Sequence, residues 1–109
     1  NSTRNLNTGS GVPGFSYLYR IGTGWWRVTL EIYHENPDWN EAAFEFLRSR
    51  LVEIESRFGG ALVWDEGPEV RGCKVSFESR NGGYRSPLEQ WEALHADMID
   101  AMIRLHRAV

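Results

Sequence analysis

The segment Ser79 to Ser86, SRNGGYRS, holds the ingredients of an anion site. Gly82-Gly83 lets backbone N–H groups approach a ligand, Arg80 and Arg85 offer forked donors for phosphate oxygens, and a helix start follows that attracts negative charge. Arg71 and Lys74 lie just upstream, and Glu78 is the one acidic residue between Arg71 and Arg85. Arg71, Lys74, Arg80, Tyr84 and Arg85 are therefore the candidate contacts to an anion or a nucleic acid. A plain alternative stands beside this reading. Ser86 and Pro87 sit at the N-cap and first-turn positions, where they satisfy or remove N–H groups an anion would use, and the stretch is then a connector.

A second constellation lies on strands. In RVTLE and KVSFE the polar residues alternate with apolar ones, so Arg27, Thr29, Lys74 and Ser76 point away from the core, with Trp25 and Tyr33 flanking the first run. Trp25, Arg27, Thr29, Tyr33 and Ser76 are the candidate interaction face. Mixed aromatic and basic surfaces bind protein partners through a few anchors, or single strands by stacking and phosphate contact. Glu31 and Glu78 on the same face weaken the nucleic-acid version.

Catalytic patterns are missing. A restriction-type nuclease needs an acidic residue on one strand and acid-x-Lys on the next. Asp65 or Glu66 fits the first part, but Gly72 precedes Lys74 by two and Arg80 follows Glu78 by two. Glu92-x-x-His95 imitates half of a di-iron helix motif whose second half is absent, and His95 and His106 are about 16 Å apart on a helix. No catalytic, metal-binding or cofactor-binding residues are assigned. Cys73 falls in an apolar alternation and is expected to be a buried thiol.

The elements that must carry these residues are legible from their periods. FSYLYRI and WWRVTLEIY alternate around Gly22-Thr23-Gly24 as a hairpin, although Leu18 competes with the tyrosines for the inside. Asp38 and Glu41 form a capping box before a helix with Phe44, Leu47, Leu51, Ile54 and Phe58 on one stripe, which Gly59-Gly60 ends. ALVW and RGCKVSFES give two more strands. Ser86, Pro87 and Glu89 then open a helix whose buried stripe is Trp91, Leu94, Met98, Met102 and Leu105.

This order is ββαββα. The predicted fold is α+β, a two-layer sandwich of a four-stranded antiparallel sheet with two helices on one face. RVTLE and KVSFE invite a duplicated ββα unit, though a half-buried strand selects such alternation by itself. Residues 1–14 are polar and glycine-rich and are expected to be a flexible lead-in, with residues 15–109 as a single domain.

The 109 residues are 41% hydrophobic and 25% charged, which suits one domain with its own core, and the formal charge of −3 argues against bulk coating of nucleic acid. No apolar run approaches the roughly 20 residues of a membrane span, and no signal peptide is recognisable. A cytoplasmic location is expected, with no membrane partner. The chain opens on Asn1, which suggests a piece of a larger protein.

In RVTLEIY, LVEIESRFGGALVWDE, EVRGCKVSFE and MIDAMIRL the chain resembles the bacterial family catalogued as domain of unknown function 4268. The resemblance implies a place at the C-terminal end of longer proteins, some with a restriction-endonuclease-like region, and brings no catalytic residues. Its GTGWW turn and glycine-arginine loop depart from the family pattern. The expected function is a non-catalytic accessory or interaction module of a larger bacterial protein, docking through an aromatic and basic sheet face. The expected partner is the rest of the parent chain, a second copy or another protein. The alternative is a nucleic-acid-sensing domain attached to a nuclease-type effector.

Overall fold

The computed structural model describes residues 4–9, 14–66 and 72–109. Strands β1 (Arg4–Gly9), β2 (Phe15–Ile21) and β3 (Trp26–Ile32) are followed by helices α1 (Pro37–Arg48) and α2 (Leu51–Phe58), strands β4 (Val63–Asp65) and β5 (Cys73–Ser79), and helix α3 (Trp91–Ala108). The sheet is antiparallel in the order β1-β2-β3-β5-β4. The predicted α+β architecture and its four strands are present as β2 to β5, and the helices contribute their apolar stripes to the core against one sheet face.

Period-two alternation decides which side chains meet the helices. Tyr17 pairs with Leu30 and Tyr19 with Val28, so the tyrosines share the core face and Leu18 turns to the other. Val28, Leu30, Ile32, Val75, Phe44 and Leu105 are fully buried. Phe58 packs against Phe77 with ring centroids 5.2 Å apart. Arg104 of α3 lies over the Phe58 ring and donates to the Phe58 carbonyl at 2.7 Å, closing the C-terminus of α2, where Gly59 adopts the left-handed conformation.

Five local expectations change. The lead-in expected over 1–14 carries β1, whose pairing with β2 makes a five-stranded sheet; its sequence RNLNTG has too few apolar residues for alternation to reveal a strand. The first helix starts at Pro37, because Asn36 accepts from the Asp38 N–H at 2.9 Å and so replaces Asp38 as the cap. One long helix becomes two: the Ser49 hydroxyl donates to the Phe46 carbonyl at 2.6 Å at the break, an alternative to continuing the helical ladder. Ser86 and Pro87 do not cap α3, which is preceded by a 3₁₀ turn at Leu88–Gln90. The Ser86 hydroxyl instead accepts from the Gly83 N–H at 3.0 Å. Leu51 and Trp91, expected in the buried stripes, are only half-buried.

The two similar pentapeptides become neighbours. β3 and β5 pair Arg27 with Glu78, Thr29 with Ser76 and Glu31 with Lys74, so each segment meets the other head to tail around the Thr29–Ser76 pair. The two hairpins thus face each other across a pseudo-two-fold centre.

Candidate binding face

The sheet face away from the helices is organised in cross-strand rows. Arg20, Arg27 and Glu78 make one row; Leu18, Thr29, Ser76 and Val63 make the next; Glu31, Lys74 and Asp65 make the third. They line a trough of about 540 Å³, within the roughly 300–1,000 Å³ of small-molecule pockets. Thr29 and Ser76 retain only 3% and 8% of their exposure although no helix covers them, which marks them as the floor of a concave surface.

One end of the trough is built around a shared carboxylate. Glu78 Oε1 accepts from Arg27 Nη2 at 2.6 Å and Nε at 3.2 Å, while Oε2 pairs with Arg80 at 2.9 Å. The Arg27 guanidinium lies 4.9 Å from the Trp25 ring centroid, a cation–π contact that helps to hold the guanidinium in place. The hydrogen bond from Arg27 holds the Glu78 carboxyl below its usual range; burial opposes the shift, and the charges of Arg27 and Arg80 assist it. A carboxyl with a folded pKa below its unfolded value stabilises the fold above the unfolded pKa, and the contribution is lost as pH falls through the folded pKa. Glu78→Gln should therefore lower the thermal midpoint at neutral pH, with the gap to wild type narrowing as pH falls through and below the ordinary carboxylate range. A gap that does not change over that range would refute the assignment.

The structure brings Arg27, Thr29, Lys74 and Ser76 onto this one face, with Arg80 attached through Glu78 and Trp25 stacked at one end. Tyr33 is exposed just beyond the end of β3. Tyr84 and Arg85 go elsewhere. The Tyr84 N–H donates to the Gly22 carbonyl at 2.9 Å and the Arg85 N–H to the Thr23 carbonyl at 3.4 Å, so SRNGGYRS docks on the turn between β2 and β3 and its amides serve the protein itself. The Arg85 side chain is exposed, and Tyr84 lines a different groove. Arg71 lies outside the described residues.

Arg20, Leu18 and Val63 complete the trough and were not singled out in the sequence. Arg20 and Leu18 follow from alternation once the tyrosines are known to face inward; Val63 depends on the register of a three-residue strand. Also unforeseen is an apolar groove of about 550 Å³ on the helix side, between Tyr19 and Ile21 of β2 and Trp91, His95 and Ile99 of α3. Among the described residues no group of three or more His, Cys, Asp or Glu is placed to hold a metal ion. Cys73 is buried, and desolvation followed by the charges of Glu66, Asp65, Glu41 and Glu45 pushes its thiol pKa up, away from the reactive thiolate.

The family described as "Domain of unknown function (DUF4268)" matches residues 1–109. The chain belongs to this family. No curated protein and no solved structure matches the chain. No helix among its described residues is long and apolar enough to cross a membrane.

Proposed function

We propose that this DUF4268 domain is a non-catalytic interaction module of a larger bacterial protein, docking through the sheet face opposite its helices. The observation that carries the reading is the trough itself, a concave surface with a hydroxyl floor and an ion-paired end at Glu78 on an antiparallel sheet. A face rich in carboxylates favours a protein partner over a nucleic acid. Glu31, Asp65 and Glu78 stand among the basic groups, and Arg27 and Arg80 are both engaged by Glu78.

Titration calorimetry of the domain against the remaining segment of its natural chain, with sedimentation of the domain alone to detect a second copy, tests the proposal. Lys74→Glu alters a half-buried side chain at low structural cost, and Thr29→Arg fills the trough floor. Association should be weakened at least about tenfold by Lys74→Glu while the thermal transition is retained. Association that neither variant affects, or binding to single-stranded DNA or RNA at low salt in place of protein association, would reject it.

A further inference from the structure

Asn81 is the only asparagine of the 109 residues that glycine follows. A glycine carries no Cβ to shield its nitrogen, so in an Asn-Gly pair that nitrogen can reach the Cγ of the preceding side-chain amide and close a five-membered ring. The fold adds a setting for this reaction. Asn81 Oδ1 accepts from the Trp26 indole Nε1–H at 2.8 Å and from the Ser79 hydroxyl at 2.8 Å. An indole N–H only donates, so the amide turns its oxygen to Trp26. Nδ2 is directed to the Asp97 carboxylate of α3 at 3.4 Å. The Gly82 N–H makes no hydrogen bond among the described residues, although the Gly83, Tyr84 and Arg85 amides that follow it all do.

We infer that Asn81 is a self-modification site, at which the folded domain converts its own asparagine to aspartate and isoaspartate through a succinimide. Two donors aimed at one carbonyl oxygen are the arrangement that stabilises an oxyanion. The Gly82 nitrogen gives its proton to hydroxide and attacks Asn81 Cγ, and the negative charge develops on Oδ1 between the Trp26 and Ser79 donors. The Cγ–Nδ2 bond then breaks as the carbonyl re-forms, and Nδ2 takes a proton from water and leaves as ammonia. Water adds to either carbonyl of the ring and opens it, giving aspartate from one side and isoaspartate from the other. No redox partner is consumed. The product alters the surface beside the trough. Aspartate sets a second carboxylate against Asp97, and isoaspartate routes the main chain through an extra carbon where SRNGGYRS docks on the β2–β3 turn. Either product places a new negative charge next to Arg80, the partner of Glu78.

The test is a time course of the folded domain at mildly alkaline pH. An endoprotease that cuts after Lys74 releases residues 75–109, in which Asn81 is the only asparagine, so the mass gain of an amide-to-acid change reports on it. Hydroxylamine, which cleaves the succinimide, traps the intermediate. Asn81 should convert faster in the folded domain than in the free capped peptide SRNGGYRS. Ser79→Ala, at a half-buried position, removes one of the two donors and should slow conversion at least about tenfold with the thermal transition retained. A side chain that the fold merely immobilises gives the opposite sign, because loosening it speeds ring closure. Conversion slower than in the peptide, or conversion that Ser79→Ala accelerates or leaves unchanged, would overturn the inference.

Discussion

Leu30→Asp is expected to abolish the cooperative thermal transition of the domain. Leu30 is fully buried in the middle of β3, in register with Tyr17 on one side and Val75 on the other. A carboxylate there has no partner, and an unpaired buried charge costs several kcal/mol or about that order, against a total stability of roughly 5–15 kcal/mol for a domain. The control lies on the same sheet with opposite parity. Leu18 faces the trough, and Leu18→Asp should retain a cooperative transition close to that of wild type. Circular dichroism melts of the two variants read the face assignment directly. A cooperative, native-like melt for Leu30→Asp would show that the even-numbered residues of β3 do not face the core.

Gly83→Ala should also be costly, for a reason no composition reveals. A methyl group at Gly83 would press into the Gly22 carbonyl oxygen and stand 2.7 Å from the Gly24 nitrogen. The loop would have to lift from the hairpin turn, straining the Tyr84 and Arg85 backbone hydrogen bonds that hold it there. Overpacking of this kind costs about 1–3 kcal/mol, and each kcal/mol lowers the midpoint by roughly 4–8 °C in a domain near this size. Gly24→Ala meets nothing within 4 Å and should be nearly silent. If Gly83→Ala and Gly24→Ala melted alike, SRNGGYRS would not be the structural connector described above.

The core was legible because burial imposes a period. WWRVTLEIY and KVSFE alternate, and both expected helical stripes supply buried residues: Phe44, Leu47, Ile54 and Phe58, then Leu94, Met98, Met102 and Leu105. The break at Ser49 was hidden for the same reason. The apolar spacing runs on from Leu47 to Leu51, while a side-chain hydrogen bond to the Phe46 carbonyl ends the first helix. β1 was hidden because an edge strand can rest on backbone pairing, which leaves no hydrophobic alternation to read. In the candidate site, parity placed Arg27, Thr29, Lys74 and Ser76 together. It could not place Tyr84 and Arg85, because the path of a loop is set by the backbone contacts it finds. The cross-strand rows required the β3–β5 register, which brings Glu78 to Arg27 and Lys74 to Glu31.

Lys74 is the only lysine of the 109 residues, and it lines the trough, so amine modification reports directly on whether that face is occupied. The decisive measurement is the rate of Lys74 acetylation by a small amine-reactive reagent, in the isolated domain and in the full natural protein with its partners bound. Docking through the sheet face predicts a rate at least about tenfold lower in the assembled protein, with Lys74 modified readily in the isolated domain. Equal rates in the two would contradict the account.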